Sequence, residues 1–203
     1  FDDAIDRIDI PKNPKNLTEA DYDQIKSDIC PRGMTRLYDA VHEAIEYTTK
    51  ITKYKNNCKQ FMIILTDGED NNSDLTISDV QTQIDNHSKT GVEYIFIGAN
   101  INADSTGQSL GIDKAACVQF TPDAQCTQNV FQNLGKVIRR SVTCEDKTPQ
   151  FSFLERQTSC SAIDYTRFNI NKNDNDINKN DINKNDKDIK YEHAELFSSY
   201  PMT

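Results

Sequence analysis

Tryptophan is absent from this chain of 203 residues, basic residues are in the minority, and no apolar run is long enough to cross a membrane. A transmembrane helix needs roughly 18 or more consecutive apolar residues, so we expect no membrane partner. Lys and Arg number 23 against 32 Asp and Glu, which gives a formal net charge of -9. Because nucleic-acid binding depends on cationic side chains that neutralise phosphates, this balance also predicts no nucleic-acid partner.

The common signatures of nucleotide-binding, hydrolytic and zinc sites are missing as well. The chain has no Gly-x-x-x-x-Gly-Lys phosphate loop, no Gly-x-Ser-x-Gly and no His-Glu-x-x-His. Its histidines are far apart, without a companion at metal-ligand spacing, and we expect all three at the surface: His42, His87 and His193. The run from Asp70 to Asp74 begins like a calcium loop, but Leu75 stands where that loop requires glycine.

The six cysteines form no Cys-x-x-Cys pair. Cys117 and Cys126 lie within apolar stretches, where cysteine behaves as a small hydrophobic residue. Buried, reduced thiols are therefore our first interpretation, and a disulfide framework is the alternative. The cellular location is left open by the sequence, with the cytoplasm favoured.

Apolar residues make up 36% of the chain, which is low for a globular domain, and most of the deficit falls near the C-terminus. The unit Ile-Asn-Lys-Asn-Asp occurs there at 170–174, 177–181 and 182–186. Such a composition offers too little apolar surface to fold. The predicted organisation is a domain, a loop-like connector, a disordered low-complexity tract and a C-terminal segment, at 1–143, 144–168, 169–190 and 191–203.

Within the first 143 residues, continuous apolar runs alternate with stretches in which apolar residues recur at helical spacing. The runs are typical of buried parallel strands and lie near 61–65, 92–97 and 117–120. Helical patterns fall near 18–27, 36–53, 77–88, 103–110 and 124–142. Because strands that alternate with helices form parallel sheets with helices on both faces, the sequence predicts a doubly wound α/β fold.

Two polar side chains are placed where such a fold forms its binding site. Thr35 belongs to a Gly-x-Thr loop before the helix near 36–53, and Asp67 closely follows the strand near 61–65. Ligands of these sheets bind beyond the carboxyl ends of the strands, and Mg²⁺ takes oxygen donors such as hydroxyls and carboxylates. Each residue also has a structural interpretation, Thr35 as a helix N-cap and Asp67 as a turn residue bonded to its own backbone.

Three blocks of sequence resemble the von Willebrand factor type A domain: Gly33 to Val41, Ile63 to Gly68, and Glu93 to Asn100 followed by Leu110-Gly111-Ile112. The resemblance spans residues 1 to about 142 and is particularly close to stand-alone members from bacteria and their viruses. It implies a non-enzymatic, protein-binding module with a metal-ion-dependent adhesion site. Thr35 and Asp67 would be metal ligands there. The ion would be Mg²⁺, with Mn²⁺ or Ca²⁺ as alternatives, and the partner would be a protein ligand offering a carboxylate.

One element of that family is missing from the chain. The family's first metal-binding loop, Asp-x-Ser-x-Ser, does not occur anywhere in the sequence. The chain begins with Phe1 instead of methionine, and Phe1-Asp2-Asp3 is similar to the end of the family's second strand. We therefore expect a partial domain that lacks the first strand and first helix. Its Mg²⁺ binding should be weak or absent, since Mg²⁺ demands near-octahedral coordination.

Two other functions stay open at this point. A doubly wound fold with a carboxylate at a strand end also serves metal-dependent phosphoryl transfer, for which Glu69 or Asp70 would supply a second acidic group. Alternatively, the chain is a structural remnant that binds nothing. The acidic loop containing Glu69, Asp70 and Asp74 is expected to be solvated or to contact a basic partner.

Overall fold

Three parallel strands form the sheet of the domain, in the order β1, β2, β3. A computed structural model describes residues 5, 16–28, 33–52, 59–143 and 148–160, without the side chains of 51 and 52. The strands are β1 Gln60–Thr66, β2 Val92–Ala99 and β3 Cys117–Phe120. Ile63 lies opposite Ile95, and Phe96 lies opposite Cys117. The predicted parallel sheet is thereby confirmed.

The helices of the described residues are α1 Glu19–Asp28, α2 Leu37–Thr52, α3 Ile77–Ser88, α4 Ala103–Ser109, α5 Ala124–Thr143 and α6 Phe153–Ser159. The five that the sequence predicts are present to within a residue at each end, and α6 is additional. No described helix has the length and apolar character that a membrane span requires. The chain divides into two compact units, 1–166 and 167–203, and every described residue belongs to the first.

Each face of the sheet carries its own apolar core, because successive strand residues point to opposite faces. On one face, strand residues including Ile64 and Phe96 pack with apolar residues of α2, α3 and α4. On the other, Ile95 and Val118 pack with apolar residues of α5. Burying one such side chain completely contributes about 1.5–3 kcal/mol. Helices therefore cover both faces, as a doubly wound fold requires.

β1 differs from the other strands in its burial. Ile64 is buried, but the alternate residues Ile63 and Leu65 are 41% and 42% exposed. Their register partners in β2, Ile95 and Ile97, are buried in the core that α5 completes. Among the described residues, no strand pairs with the other edge of β1. The prediction of a strand buried on both faces is therefore wrong for β1.

The opposite edge of the sheet is bordered by the segment 148–160, which was expected to be loop-like but contains α6. The Phe151 N–H donates to Ala115 O before β3 begins, at 2.8 Å. After β3 ends, the Thr121 N–H donates to Ser159 O at 3.1 Å. A helix along an edge strand shields main-chain groups that would otherwise be open to another chain.

Polar contacts hold α6 in place. Arg140 donates two bonds to the carboxylate of Glu155, at 2.6 and 2.8 Å, and the buried Asn133 amide donates to Glu155 O at 3.0 Å. Burial acts to raise the pKa of Glu155, but hydrogen bonds from Arg140 and Ser152 outweigh it and lower that pKa. Because Phe153 and Leu154 are exposed, α6 is anchored mainly by these bonds.

His87 is only 6% exposed, so the prediction that it lies at the surface is wrong. Its Nδ1 lies 2.6 Å from the Tyr94 hydroxyl oxygen, and its Nε2 lies 3.4 Å from Thr48 Oγ1. Burial lowers the pKa of His87 and raises that of Tyr94. The pair therefore joins α2, α3 and β2 in neutral form. His42 is half-buried and bonds to Gln83.

Three of the cysteines lie among the described residues. Cys117 and Cys126 are buried, as predicted, and Cys160 is partly exposed. Burial raises the pKa of Cys117 to about 12, so this group stays protonated. Several predictions fall outside the described residues: those for Phe1-Asp2-Asp3, for the tract 169–190, for the segment 191–203, for His193 and for the remaining cysteines Cys30, Cys58 and Cys144.

Candidate metal centre

Thr35 and the Asp67–Gly68 turn come from different parts of the chain, and the turn follows the carboxyl end of β1. Thr35 lies two residues before α2, and Asp67 is the first residue after β1. A Cβ placed on Gly68 would lie 3.4 Å from Thr35 Oγ1. The Thr35 hydroxyl therefore faces the Asp67–Gly68 turn, and the absent glycine side chain leaves space beside it.

The backbone of Thr35 is fixed by the loop that follows β1. Its N–H donates to Asn71 Oδ1 at 2.8 Å. Its carbonyl oxygen accepts from the N–H groups of Asn71 and Asn72, at 3.0 and 3.2 Å. All three bonds are made to main-chain atoms of Thr35, so among the described residues the hydroxyl is not used to hold the loop.

Thr35 does not cap α2, which excludes its structural interpretation. The first intrahelical bond runs from the Ala40 N–H to Arg36 O, so the helix starts one residue later than an N-cap at Thr35 requires. The free N–H groups of Tyr38 and Asp39 donate instead to Ser73 Oγ, at 3.1 and 3.2 Å. A hydroxyl from a distant loop thus supplies the acceptor that an N-cap side chain normally provides.

Asp70 supports the same helix start. Its Oδ1 accepts from the Tyr38 N–H at 3.2 Å and from the Ser73 hydroxyl. A carboxylate at a helix N-terminus is favoured by the helix dipole. Asp70 is therefore a structural residue of the α2 start, and the expectation of a solvated residue or of a contact with a basic partner is wrong for it.

Asp39 joins α2 to the end of the acidic loop. Asp39 is 7% exposed, and its carboxylate accepts from Arg36 Nε and Nη2, at 2.9 and 2.6 Å. It also accepts from the N–H groups of Asp74 and Leu75, at 3.0 and 3.1 Å. Burial acts to raise the pKa of Asp39, but the bonds from the Asp74 N–H, Arg36 and the Leu75 N–H outweigh it and lower that pKa.

Arg36 also joins the start of α2 to the acidic loop, because its Nη2 pairs with Asp74 at 2.5 Å. The hydrogen bond to Asp39 and the charges of both aspartates raise the pKa of Arg36. Asp74, expected to be solvated or to contact a basic partner, is exposed but is paired within the chain. Glu69 remains exposed, which fits the expectation of a solvated residue.

Asp67 does not bond to its own backbone. Its side chain is exposed and forms no hydrogen bond or ion pair within the part of the chain that the structure describes. The turn is closed by the neighbouring Thr66, whose hydroxyl donates to Gly68 O at 2.8 Å and accepts from the Gly68 N–H at 3.3 Å. Sequence reasoning missed this role, although a Thr before Asp-Gly is a known turn signal.

The acidic loop after β1 places negative charge near Tyr38. Burial raises the pKa of Tyr38, and the charges of Asp70 and Glu69 raise it further. The donors at hand, one hydroxyl and one carboxylate, are of the type that Mg²⁺ takes, but octahedral coordination needs six oxygens. No group of three or more His, Cys, Asp or Glu side chains among the described residues is arranged to hold a metal ion. The donors fit the ion in kind and are incomplete in number.

Comparison with known proteins assigns the chain to a family. A family model for the von Willebrand factor type A domain matches residues 10–133, which is more than half of the chain. No curated protein matches the chain. Domains of this family are typically non-enzymatic and commonly mediate protein interactions through a metal-ion-dependent adhesion site. On the strength of the family match and of its parallel α/β architecture, the chain belongs to the von Willebrand factor type A domain family.

Proposed function

We propose that the chain is a protein-binding module whose Thr35 and Asp67 supply two ligands of a metal-ion-dependent adhesion site. The observation that carries this proposal is that the Thr35 hydroxyl faces the Asp67–Gly68 turn. Neither side chain caps a helix or closes a turn. The bound ion, Mg²⁺ first and Mn²⁺ or Ca²⁺ as alternatives, would supply a Lewis-acidic position for a carboxylate of the partner protein.

The site is incomplete with these two residues, and the open edge of β1 suggests where the rest belongs. Ile63 and Leu65 are exposed on a strand with no described neighbour on that side. A strand pairing in parallel with this edge, together with a helix that covers the face of Ile63 and Leu65, would bury both side chains, and the loop after that strand would emerge beside Asp67. We propose that a strand ending in Asp-x-Ser-x-Ser, the missing first strand of the family, takes this position.

The two edges of the sheet differ, and the difference supports the placement of a further strand beside β1 and not beside β3. Arg156 of α6 donates to Lys114 O and Ala115 O, at 2.7 and 3.0 Å, and pairs with Asp104 at 3.0 Å. One edge of the sheet is thus bordered by a bonded helix, while β1 carries uncharged residues from Phe61 to Thr66 and no proline. Natural proteins protect free edges with charges, prolines or covering elements, so an edge of this kind suits a strand partner.

The phosphoryl-transfer alternative has less support. Asp70 is engaged in capping α2, and Glu69 has no hydrogen-bond or ion-pair partner in the described part of the chain. A nucleophile or a second carboxylate held across the site would be needed for that chemistry. The remaining alternative, a remnant without binding activity, is an outcome of the experiment below.

Calorimetry with Mg²⁺ tests the proposal on two proteins: the present chain, and the same chain extended at its N-terminus by an apolar strand ending in Asp-x-Ser-x-Ser and the helix after it. We expect weak or no binding by the first and clear binding by the second. Asp67→Ala should abolish binding by the extended protein, whereas Glu69→Ala, two residues away and also exposed, should leave it intact. Absence of binding by the extended protein would favour the remnant, and tight binding unaffected by Asp67→Ala would move the site elsewhere.

A further inference from the structure

Asn71 is bonded to Thr35 in a reciprocal way. The Asn71 side-chain oxygen accepts from the Thr35 N–H at 2.8 Å, while the Asn71 N–H donates to Thr35 O at 3.0 Å. Both main-chain groups of Thr35 are therefore held by one residue of the opposite loop. Asn72 contributes only a main-chain bond to the same carbonyl, at 3.2 Å.

From this geometry we infer that Asn71 is a positioning residue: its side chain sets the backbone of Thr35 so that the hydroxyl faces the Asp67–Gly68 turn before any ion binds. The role of that hydroxyl as a ligand rests on the proposed function. The position of the hydroxyl does not, because the bonds that fix Thr35 are made within the chain.

The loop before α2 and the loop after β1 are held together by contacts that do not involve Asn71. The position of Thr35 can therefore be tested without disturbing the fold. Asp39 bonds to Asp74 and Leu75, and Ser73 bonds to the start of α2. Removal of the Asn71 side chain leaves those contacts and both main-chain bonds to Thr35 O in place. The change is confined to the Thr35 N–H, which loses its acceptor, so that the peptide unit between Met34 and Thr35 is held less tightly.

Fixing Thr35 before the ion binds matters because a site with few protein ligands binds weakly, and any entropy lost in ordering those ligands weakens it further. Rigid placement of a ligand lowers the entropy lost on binding, and functional side chains need supporting residues that lock their geometry. Asn71 is such a support, since its bond to Thr35 is the one side-chain contact to that residue's backbone among the described residues.

Amide hydrogen exchange in the full chain without metal tests this role by nuclear magnetic resonance. Exchange at the Thr35 N–H should become about tenfold faster in Asn71→Ala, because the acceptor that protects it is removed. Asn72→Ala is the matched control and should stay within about twofold of the wild type, since it keeps every bond to Thr35. Asn71→Asp retains an acceptor oxygen and should restore slow exchange. Equal exchange in Asn71→Ala and Asn72→Ala would overturn the inference.

A titration with Mn²⁺ links this conformation to the proposed site. In the extended protein, paramagnetic broadening should centre on Thr35 and Asp67 both without a substitution and with Asn72→Ala, and it should need a higher Mn²⁺ concentration with Asn71→Ala. Unfolding by urea at the same midpoint in both variants would show that the fold is unchanged. If Mn²⁺ broadened neither residue in the wild type or in the extended protein, the proposed function would fail, whereas the exchange comparison would still decide the role of Asn71.

Discussion

Removing the Asp39 carboxylate should destabilise the domain more than removing any other acidic side chain near the site. Asp39 accepts four hydrogen bonds from Arg36, Asp74 and Leu75 while it is nearly inaccessible to water. Asp39→Ala leaves two main-chain donors without an acceptor, and each unsatisfied buried donor costs roughly 1–3 kcal/mol. Asp74 is exposed and Leu75 is only partly buried, so at most the lower end applies to each, and we expect a total loss of about 1–2 kcal/mol.

Urea unfolding followed by circular dichroism measures this loss. Asp39→Asn keeps one acceptor oxygen and should lose about half as much as Asp39→Ala. Asp67→Ala is the matched control, because its carboxylate is exposed and unbonded within the described chain, and it should change stability by no more than about 0.5 kcal/mol. Equal unfolding midpoints for Asp39→Ala and Asp67→Ala would show that Asp39 does not clamp the two loops.

Two further predictions concern the core. Gly107→Ala in α4 should lower the melting temperature, because a Cβ there would lie 2.3 Å from Cys117 Sγ and overpacking costs about 1–3 kcal/mol of stability. Gly135→Ala in α5 meets nothing within 4 Å and should raise stability by about 0.5–1 kcal/mol. Melting-temperature shifts of the same sign in the two variants would contradict this description of the packing. His87 should make stability fall as the pH drops below about 6.5, since burial lowers its pKa and the unfolded chain then binds a proton that the folded chain resists. The free energy of unfolding, measured at pH 7.5 and 5.5, roughly one unit either side of that value, should differ less between the two pH values in His87→Gln than in the wild type. An equal difference in the two proteins would assign the effect to other groups.

The elements that the sequence predicts well are those with a strong apolar signal. β2 and α3 sit where continuous and periodic apolar patterns place them, and Thr76 caps α3 through a capping box with Asp79. α6 escaped prediction because its contacts are polar and Phe153 points to solvent. The local sign was Ser152 followed by Glu155, a second capping box.

The surroundings of the candidate site depend on long-range contacts that no local pattern reveals. Thr35 looks like an N-cap in the sequence, but the acceptor for α2 comes from Ser73, which lies more than thirty residues away along the chain. The exposure of Ile63 and Leu65 is likewise invisible in an apolar run, because it depends on which neighbours cover the strand. Spacing placed Thr35 and Asp67 at one edge of the sheet, whereas only the contacts of Asn71 and Gly68 give the direction of the hydroxyl.

The central claim is that the Thr35 hydroxyl is a metal ligand, and its most direct test is the Mg²⁺ affinity of two variants of the extended protein, measured by calorimetry. Thr35→Ser keeps the hydroxyl, and Thr35→Val keeps the shape of the side chain without it. A methyl group cannot replace an oxygen ligand of the ion. We therefore expect Thr35→Ser to bind Mg²⁺ like the unsubstituted extended protein and Thr35→Val to bind it at least about tenfold more weakly. Tenfold is the lower end of the effect of altering residues that support a metal site. Equal affinities of Thr35→Ser and Thr35→Val would contradict the assignment of Thr35.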